Sequence, residues 1–297
     1  MEKPDRILVA TDLSTHAGKA ETRAAMLAQA LGARQLTLLH VVPRLPLQAL
    51  NDILERSPLE TEQMLVNAAR TNLAERAGRL REKYGIEVLT AVRIGRVHLE
   101  VVALANESDA GLVVVGGYGA HLVRELFLGA TAEKVLRTSK RPILIVKQEP
   151  FSPYKRLLAP VDFSPSSARA LDWAQALAGG AEVTVAHVYE APYESTLRYA
   201  SVEDKVLEGY RAAARQQAQD AMRAFLEPRR ATGTDFLQRI LHGHPAAGIR
   251  DLAEEMRPDL IVIGKHGQSE IEELLIGSVT KHVLFETHCD MLVTLNA

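Results

Sequence analysis

Arg6-Ile7-Leu8-Val9-Ala10-Thr11-Asp12-Leu13-Ser14 returns as Arg156-Leu157-Leu158-Ala159-Pro160-Val161-Asp162-Phe163-Ser164, shifted by 150 positions. A short apolar run, an aspartate and then a hydroxyl residue read as a strand, a turn and the start of a helix. The rest of the chain repeats in step with this unit. Leu38-Leu39-His40-Val41 returns as Val185-Ala186-His187-Val188, shifted by 147. Gly95, Gly116, Gly119 and Gly129 return as Gly243, Gly264, Gly267 and Gly277, each shifted by 148. A nearly constant offset across 297 residues identifies a duplication. The join falls at Lys147–Tyr154, where Pro150 and Pro153 interrupt regular structure. The expected domains are therefore 1–149 and 150–297, each the size of an ordinary domain.

Within each half, apolar runs alternate with segments of helical period. Ile7–Ala10, Leu36–Val42, Ile86–Ile94, Leu112–Gly116 and Ile143–Val146 are expected strands. Ala17, Ala20, Ala24, Leu27, Ala28 and Leu31 share one helical face, closed by Gly32. Ser14 is the expected N-cap there, and Ser164 followed by Pro165 opens the matching helix of the second half. Longer helices are expected over Glu60–Lys83 and Glu203–Leu226. Shorter ones are expected over His98–Ala105, Thr131–Arg137, Ala246–Glu255 and Val279–Phe285. Five strands alternating with four helices predict an α/β fold, a parallel sheet covered on both faces, built twice in tandem.

Composition narrows the function classes. Hydrophobic residues make up 47% and charged residues 24%, a soluble globular profile. A formal net charge of −2 supplies no field toward nucleic acid or anionic membrane. Only 5% of residues are aromatic, too few for a platform that stacks single-stranded bases. One cysteine, Cys289, excludes an internal disulfide and reads as a buried thiol. The polar start and the lack of a long apolar run lead us to expect a cytoplasmic protein with no nucleic-acid or membrane partner.

An open parallel sheet binds ligands beyond the carboxyl ends of its strands, where strand order reverses. Three features of each half lie at such ends. Asp12 and Asp162 follow the first strand, and their plain reading is turn chemistry. His40-Val41 and His187-Val188 end the second strand, where a packed histidine is commoner than a catalytic one. The third feature is richer: the expected strand Leu260–Ile263 runs into Gly264-Lys265-His266-Gly267, and Gly277-Ser278 opens a helix nine residues later. Glycines admit an anion close to the backbone, and the amides of a helix start point at it. Glycines that merely make tight turns are the alternative, and preserved spacing in both halves favours phosphate.

Gly-x2-Gly-x9-Gly-Ser/Thr, with an early aspartate and a His-Val strand end, resembles the universal stress protein family over the whole chain, twice. The resemblance implies two tandem flavodoxin-like domains of strand order 3-2-1-4-5. It implies ATP or another adenine nucleotide (ADP or AMP) as ligand, with magnesium able to accompany it. On this likeness, Asp162 and Val188 would face adenine and ribose with Pro160 alongside. Gly264, Gly267, Gly277 and Ser278 would hold phosphate, with Val279 next to them. In the first half Asp12, Val41, Gly116, Gly119 and Gly129 match, but Ala10 replaces the proline and Ala130 the serine. The second half is therefore the expected nucleotide site. Glu270, Glu272 and Glu273 in its nine-residue span disfavour a triphosphate if they face it, whereas Arg124 and Glu125 balance one another in the first.

The expected function is an adenine-nucleotide-binding stress-response regulator. The alternative is an interaction protein that keeps only the fold. No Walker motif, nucleophile elbow or acid–base carboxylate pair is present, so catalysis would be a weak ATPase at most. His242, His244 and His266 match no zinc spacing, and no metal site is assigned. The apolar last strands, Pro142–Val146 and Asp290–Leu295, read as pairing edges. The family likeness extends this to a homodimer, with a protein partner unidentified.

Overall fold

The computed structural model describes residues 3–44, 57–117, 128–192, 194, 199–200, 203–230, 235–267 and 275–295. They form two compact units, residues 1–153 with 290–293, and residues 154–289 with 294–297.

In the first unit, β1 (Arg6–Ala10) pairs in parallel with β2 (Gln35–Pro43) and β4 (Leu112–Gly116). β3 (Val88–Gly95) extends the sheet beside β2, and β5 (Ile143–Val146) beside β4. The order is thus β3-β2-β1-β4-β5, all parallel. Residues Met291–Val293 pair antiparallel with β5 at the edge of this unit. Helices α1 (Ala17–Leu31), α2 (Pro58–Tyr84), α3 (Val97–Glu107) and α4 (Ala130–Thr138) cover the sheet. The apolar stripe expected on α1 is buried throughout, and Gly32 ends the helix at φ 70°, a left-handed conformation that glycine tolerates without a Cβ penalty.

The burial of α1 includes two charged residues that apolar periodicity does not anticipate. Glu21 accepts a hydrogen bond from Thr11 Oγ1 at 2.5 Å and pairs with Arg76 of α2 at 2.8 Å. Arg23 lies 3.2 Å from the carboxylate of Asp290 and donates to Ser152 O. Each buried charge meets an opposite one, the condition under which burial is tolerable. The regular helix begins at Ala17, so Ser14 is not its N-cap. Ser14 Oγ instead accepts from Ala17 N across a preceding turn, a capping-type bond made two residues before the N-cap, His16.

In the second unit, β6 (Arg156–Pro160) pairs with β7 (Glu182–Tyr189) and β9 (Leu260–Gly264), and β7 pairs with β8 (Phe236–His242), all in parallel. Helices α5 (Pro165–Ala178), α6 (Asp204–Arg230), α7 (Pro245–Met256) and α8 (Ser278–Glu286) follow the strands in turn. Ser164 is the N-cap of α5, its Oγ accepting from Ser167 N, with Pro165 at the first helical position. The fold is α/β in both units. Among the described residues, no helix is long and apolar enough to cross a membrane.

One register difference between the units positions the site. The β1–β4 ladder runs four residues, from Ile7 with Leu112 to Ala10 with Val115. The β6–β9 ladder stops after Leu157 with Leu260 and Leu158 with Ile261. Pro160, which has no N–H to give a ladder, stands where the first unit has Ala10. The β6–β9 ladder therefore ends short of the carboxyl ends of both strands.

Candidate functional site

Between those ends lies a cavity of about 550 Å³ within the second unit, of a size suited to a small-molecule ligand. Its floor is made by the turn after β6. Asp162 Oδ1 accepts from Ser164 N at 3.1 Å and from Ser164 Oγ at 2.6 Å, an Asx turn. Phe163 inside this turn has φ 67°, and its first-unit counterpart Leu13 has φ 63°. A left-handed conformation is costly for both side chains, and its recurrence shows that the turn itself is specified. The plain reading of the two aspartates is thus observed: Asp12 Oδ1 accepts from Ser14 N in the same way, at 3.0 Å. Asp162 Oδ2 faces Gly267, where an added Cβ would come within 2.7 Å of it.

The second wall comes from the end of β7. His187 Nδ1 lies 2.8 Å from Val161 O; a carbonyl only accepts, so Nδ1 carries the proton. Phe163 covers the imidazole at 4.3 Å between ring centroids. His40 makes the same bond to Thr11 O at 2.9 Å; both histidines are half-buried and anchored to the residue that follows the first strand of their unit. Val188 is held by close approach of α7: a Cβ on Gly248 would stand 2.9 Å from Val188 Cγ1.

The third wall is the return from β9 to α8. Lys265 N donates to Thr294 O at 2.7 Å, and Lys265 O accepts from Gly277 N at 2.8 Å, closing the two ends of the segment on one another. Gly277 is the N-cap of α8, and Thr280 Oγ1 donates to Gly264 O at 2.7 Å. The glycines are places of close approach. A Cβ on Gly264 would overlap Ser166 Oγ and stand 2.9 Å from Ser166 Cβ, and one on Gly277 would stand 3.1 Å from Lys265 O. The amides of Ser278, Val279 and Thr280 belong to the first helical turn, where no intrahelical acceptor exists.

All eight second-half residues singled out from the sequence, Pro160, Asp162, Val188, Gly264, Gly267, Gly277, Ser278 and Val279, line this one cavity. Sequence reasoning did not select Ser167, Glu190, Ile249 or Thr280, which line it too; it weighed His266 as a metal ligand and, with Lys265, as a partial counter-charge to the glutamates, and of these two His266 lines the cavity. A hydroxyl two residues after Gly277-Ser278 was the available signal for Thr280. Among the described residues, no group of three or more His, Cys, Asp or Glu is placed to hold a metal ion.

The first unit repeats the frame with different chemistry. Gly116 ends β4, Gly129 N donates to Gly117 O at 2.9 Å, and Gly129 is the N-cap of α4. Val41 is buried at the end of β2. Ala130 and Ala132 occupy the positions of Ser278 and Thr280, so both hydroxyls are absent. Gly119, Arg124 and Glu125, like Glu270, Glu272 and Glu273 of the second half, lie outside the described residues.

The sequence model of the universal stress protein family matches residues 4–147 and again 153–294. A universal stress protein of Methanocaldococcus jannaschii is 27% identical over 131 residues, covering 40% of this chain and 80% of that protein. The crystal structure of a universal stress protein from Archaeoglobus fulgidus superposes over 99% of both chains, with TM-score 0.69 and 21% identity. A universal stress protein solved in complex with cAMP aligns with 49% of this chain and all of its own, at 28% identity and TM-score 0.33.

Proposed function

The chain belongs to the universal stress protein family, and on that premise we propose that it is a stress-response regulator that binds an adenine nucleotide (ATP, ADP or AMP) in the cavity of its second half. One observation carries the reading. Residues chosen from the sequence for phosphate, ribose and adenine line a single cavity of about 550 Å³ at the switch point of the sheet. The family admits such a ligand, since a member has been solved in complex with cAMP. Gly267 and the first turn of α8 would receive phosphate by backbone N–H and the Ser278 hydroxyl, with Gly264 and Gly277 allowing its close approach. Pro160, Val188 and Ile249 offer apolar surface to a base. Asp162 Oδ2 is the carboxylate at which a magnesium ion accompanying the phosphates would bind.

The first half, without the hydroxyls of Ser278 and Thr280, is the weaker site. A lost hydrogen bond to a charged group is worth about 1.5–3 kcal/mol, at least a tenfold loss of affinity. Domains of 1–149 and 150–297, a cytoplasmic setting, a homodimer and a protein partner that senses occupancy complete the proposal. A non-binding interaction protein is the second reading, motivated by Ala130 and by the glutamates at 270, 272 and 273.

Thermal unfolding of the full chain with ATP, ADP and AMP at millimolar concentration tests it, because a ligand of the native state raises the melting temperature. A rise with at least one nucleotide, lost in a folded Gly277→Val variant, is expected. No rise with any of the three overturns the nucleotide reading and leaves the interaction protein.

A further inference from the structure

Among the described residues, the polar groups at the phosphate end of the cavity are few. Three first-turn amides and the Ser278 hydroxyl are gathered at the start of α8. The Thr280 hydroxyl beside them is already donated to Gly264 O at 2.7 Å. Gly277 N is likewise spent on Lys265 O.

Further phosphoryl groups would need cations, and the site supplies few. Among the described residues that line the cavity there is no Lys or Arg; the nitrogens that can take a positive charge are those of His187 and His266. Lys265 is 2% exposed and lines no part of it. Carboxylates are present instead. Asp162 Oδ2 is directed at Gly267, the second glycine of the phosphate loop, and Glu190 lines the mouth. Each phosphoryl group beyond the first brings added negative charge toward these groups, and a partly enclosed cavity screens that repulsion less than bulk water does. Magnesium at Asp162 Oδ2 would offset some of it, but among the described residues no group of three or more His, Cys, Asp or Glu is placed to hold the ion.

Resting on the nucleotide reading above, we propose that the second-half cavity takes a nucleoside monophosphate in preference to a nucleoside triphosphate, whether or not magnesium is present. Phosphate recognition is then by dipoles and one hydroxyl, and carboxylates at the loop and mouth set the limit on phosphate number.

Calorimetric titration of the full chain with AMP, ATP and ATP plus magnesium tests the proposal. AMP is expected to bind at least about tenfold more tightly than ATP in either condition. Raising salt or introducing Glu190→Gln should narrow the ratio by about threefold or more, because both weaken the repulsion. Binding of ATP as tight as that of AMP, with or without magnesium, overturns the monophosphate preference but leaves the nucleotide reading standing. A ratio unmoved by both salt and Glu190→Gln overturns the electrostatic limit. If AMP, ADP and ATP all fail to bind, it is the nucleotide reading that falls, and this inference falls with it.

Discussion

Thr280 Oγ1 donates a 2.7 Å hydrogen bond to Gly264 O, tying the first turn of α8 to the last residue of β9 across the base of the cavity. Both groups are buried. Replacing Thr280 by Val keeps the shape and leaves the Gly264 carbonyl without its donor, at a cost of about 1–3 kcal/mol. Urea unfolding should show this loss in Thr280→Val and little of it in Thr280→Ser. Equal stability of all three proteins would mean that the bond contributes nothing.

Ser166 and Gly264 form a second tight pair. The Ser166 hydroxyl is buried with no hydrogen-bond partner among the described residues, and it fills the space a Cβ on Gly264 would need. Gly264→Ala should therefore destabilise by about 1–3 kcal/mol through overpacking. Ser166→Ala, which removes an unsatisfied buried hydroxyl, should be neutral or slightly stabilising and should recover part of the Gly264→Ala loss. Strictly additive effects in the double variant would argue that the two positions do not meet.

The N-cap geometries of the two phosphate-side helices are nearly the same, with φ −60° and ψ 137° at Gly129 and φ −55° and ψ 146° at Gly277. Ala130→Ser therefore places a hydroxyl on a frame already shaped for it. The variant should keep wild-type stability and strengthen the first half as a nucleotide site, read as added binding equivalents in titration. Two equal sites in the wild-type protein would show that the ranking of the halves is wrong.

Asp290 is fully buried, accepts from Lys147 N at 2.8 Å and Gln148 N at 2.9 Å, and faces Arg23. Asp290→Ala strands a buried guanidinium and two amides, an expected loss of about 3–5 kcal/mol. Chemical denaturation of Asp290→Ala and Arg23→Ala, with the double variant, should return a strong coupling between them. Losses near zero in the single variants would contradict the buried pair.

His98 on α3 has its imidazole pKa lowered from the ordinary range, first by burial and then by the charges of Lys134 and Arg96. The folded state thus binds the proton less readily than the unfolded chain. The stability involved is complete above the ordinary imidazole pKa and is lost as pH falls through the lower folded value. His98→Gln should flatten this part of the stability–pH curve between neutral and mildly acid pH, and an unchanged slope would remove His98 as its source.

Much of the architecture was legible because it is written in local pattern. The 148-residue offset, the alternation of apolar runs with helical stripes, and the Gly32 and Ser164 caps involve neighbours in sequence. The glycine pairs were legible for the same reason, since close approach demands glycine whatever surrounds it. Ser14 marks the limit: its hydroxyl makes the expected kind of bond, but two residues before the helix's N-cap.

By itself the sequence determined the duplication, the α/β class and the eight second-half residues that meet in one cavity. Only the tertiary structure decided which charges are buried, because Glu21 with Arg76 and Arg23 with Asp290 are pairs distant along the chain. It also decided that Thr280 spends its hydroxyl on Gly264, and that the β6–β9 ladder ends short of Pro160 where β1–β4 continues through Ala10. Local pattern records what each residue prefers; pairing across the fold settles which groups remain free to meet a ligand.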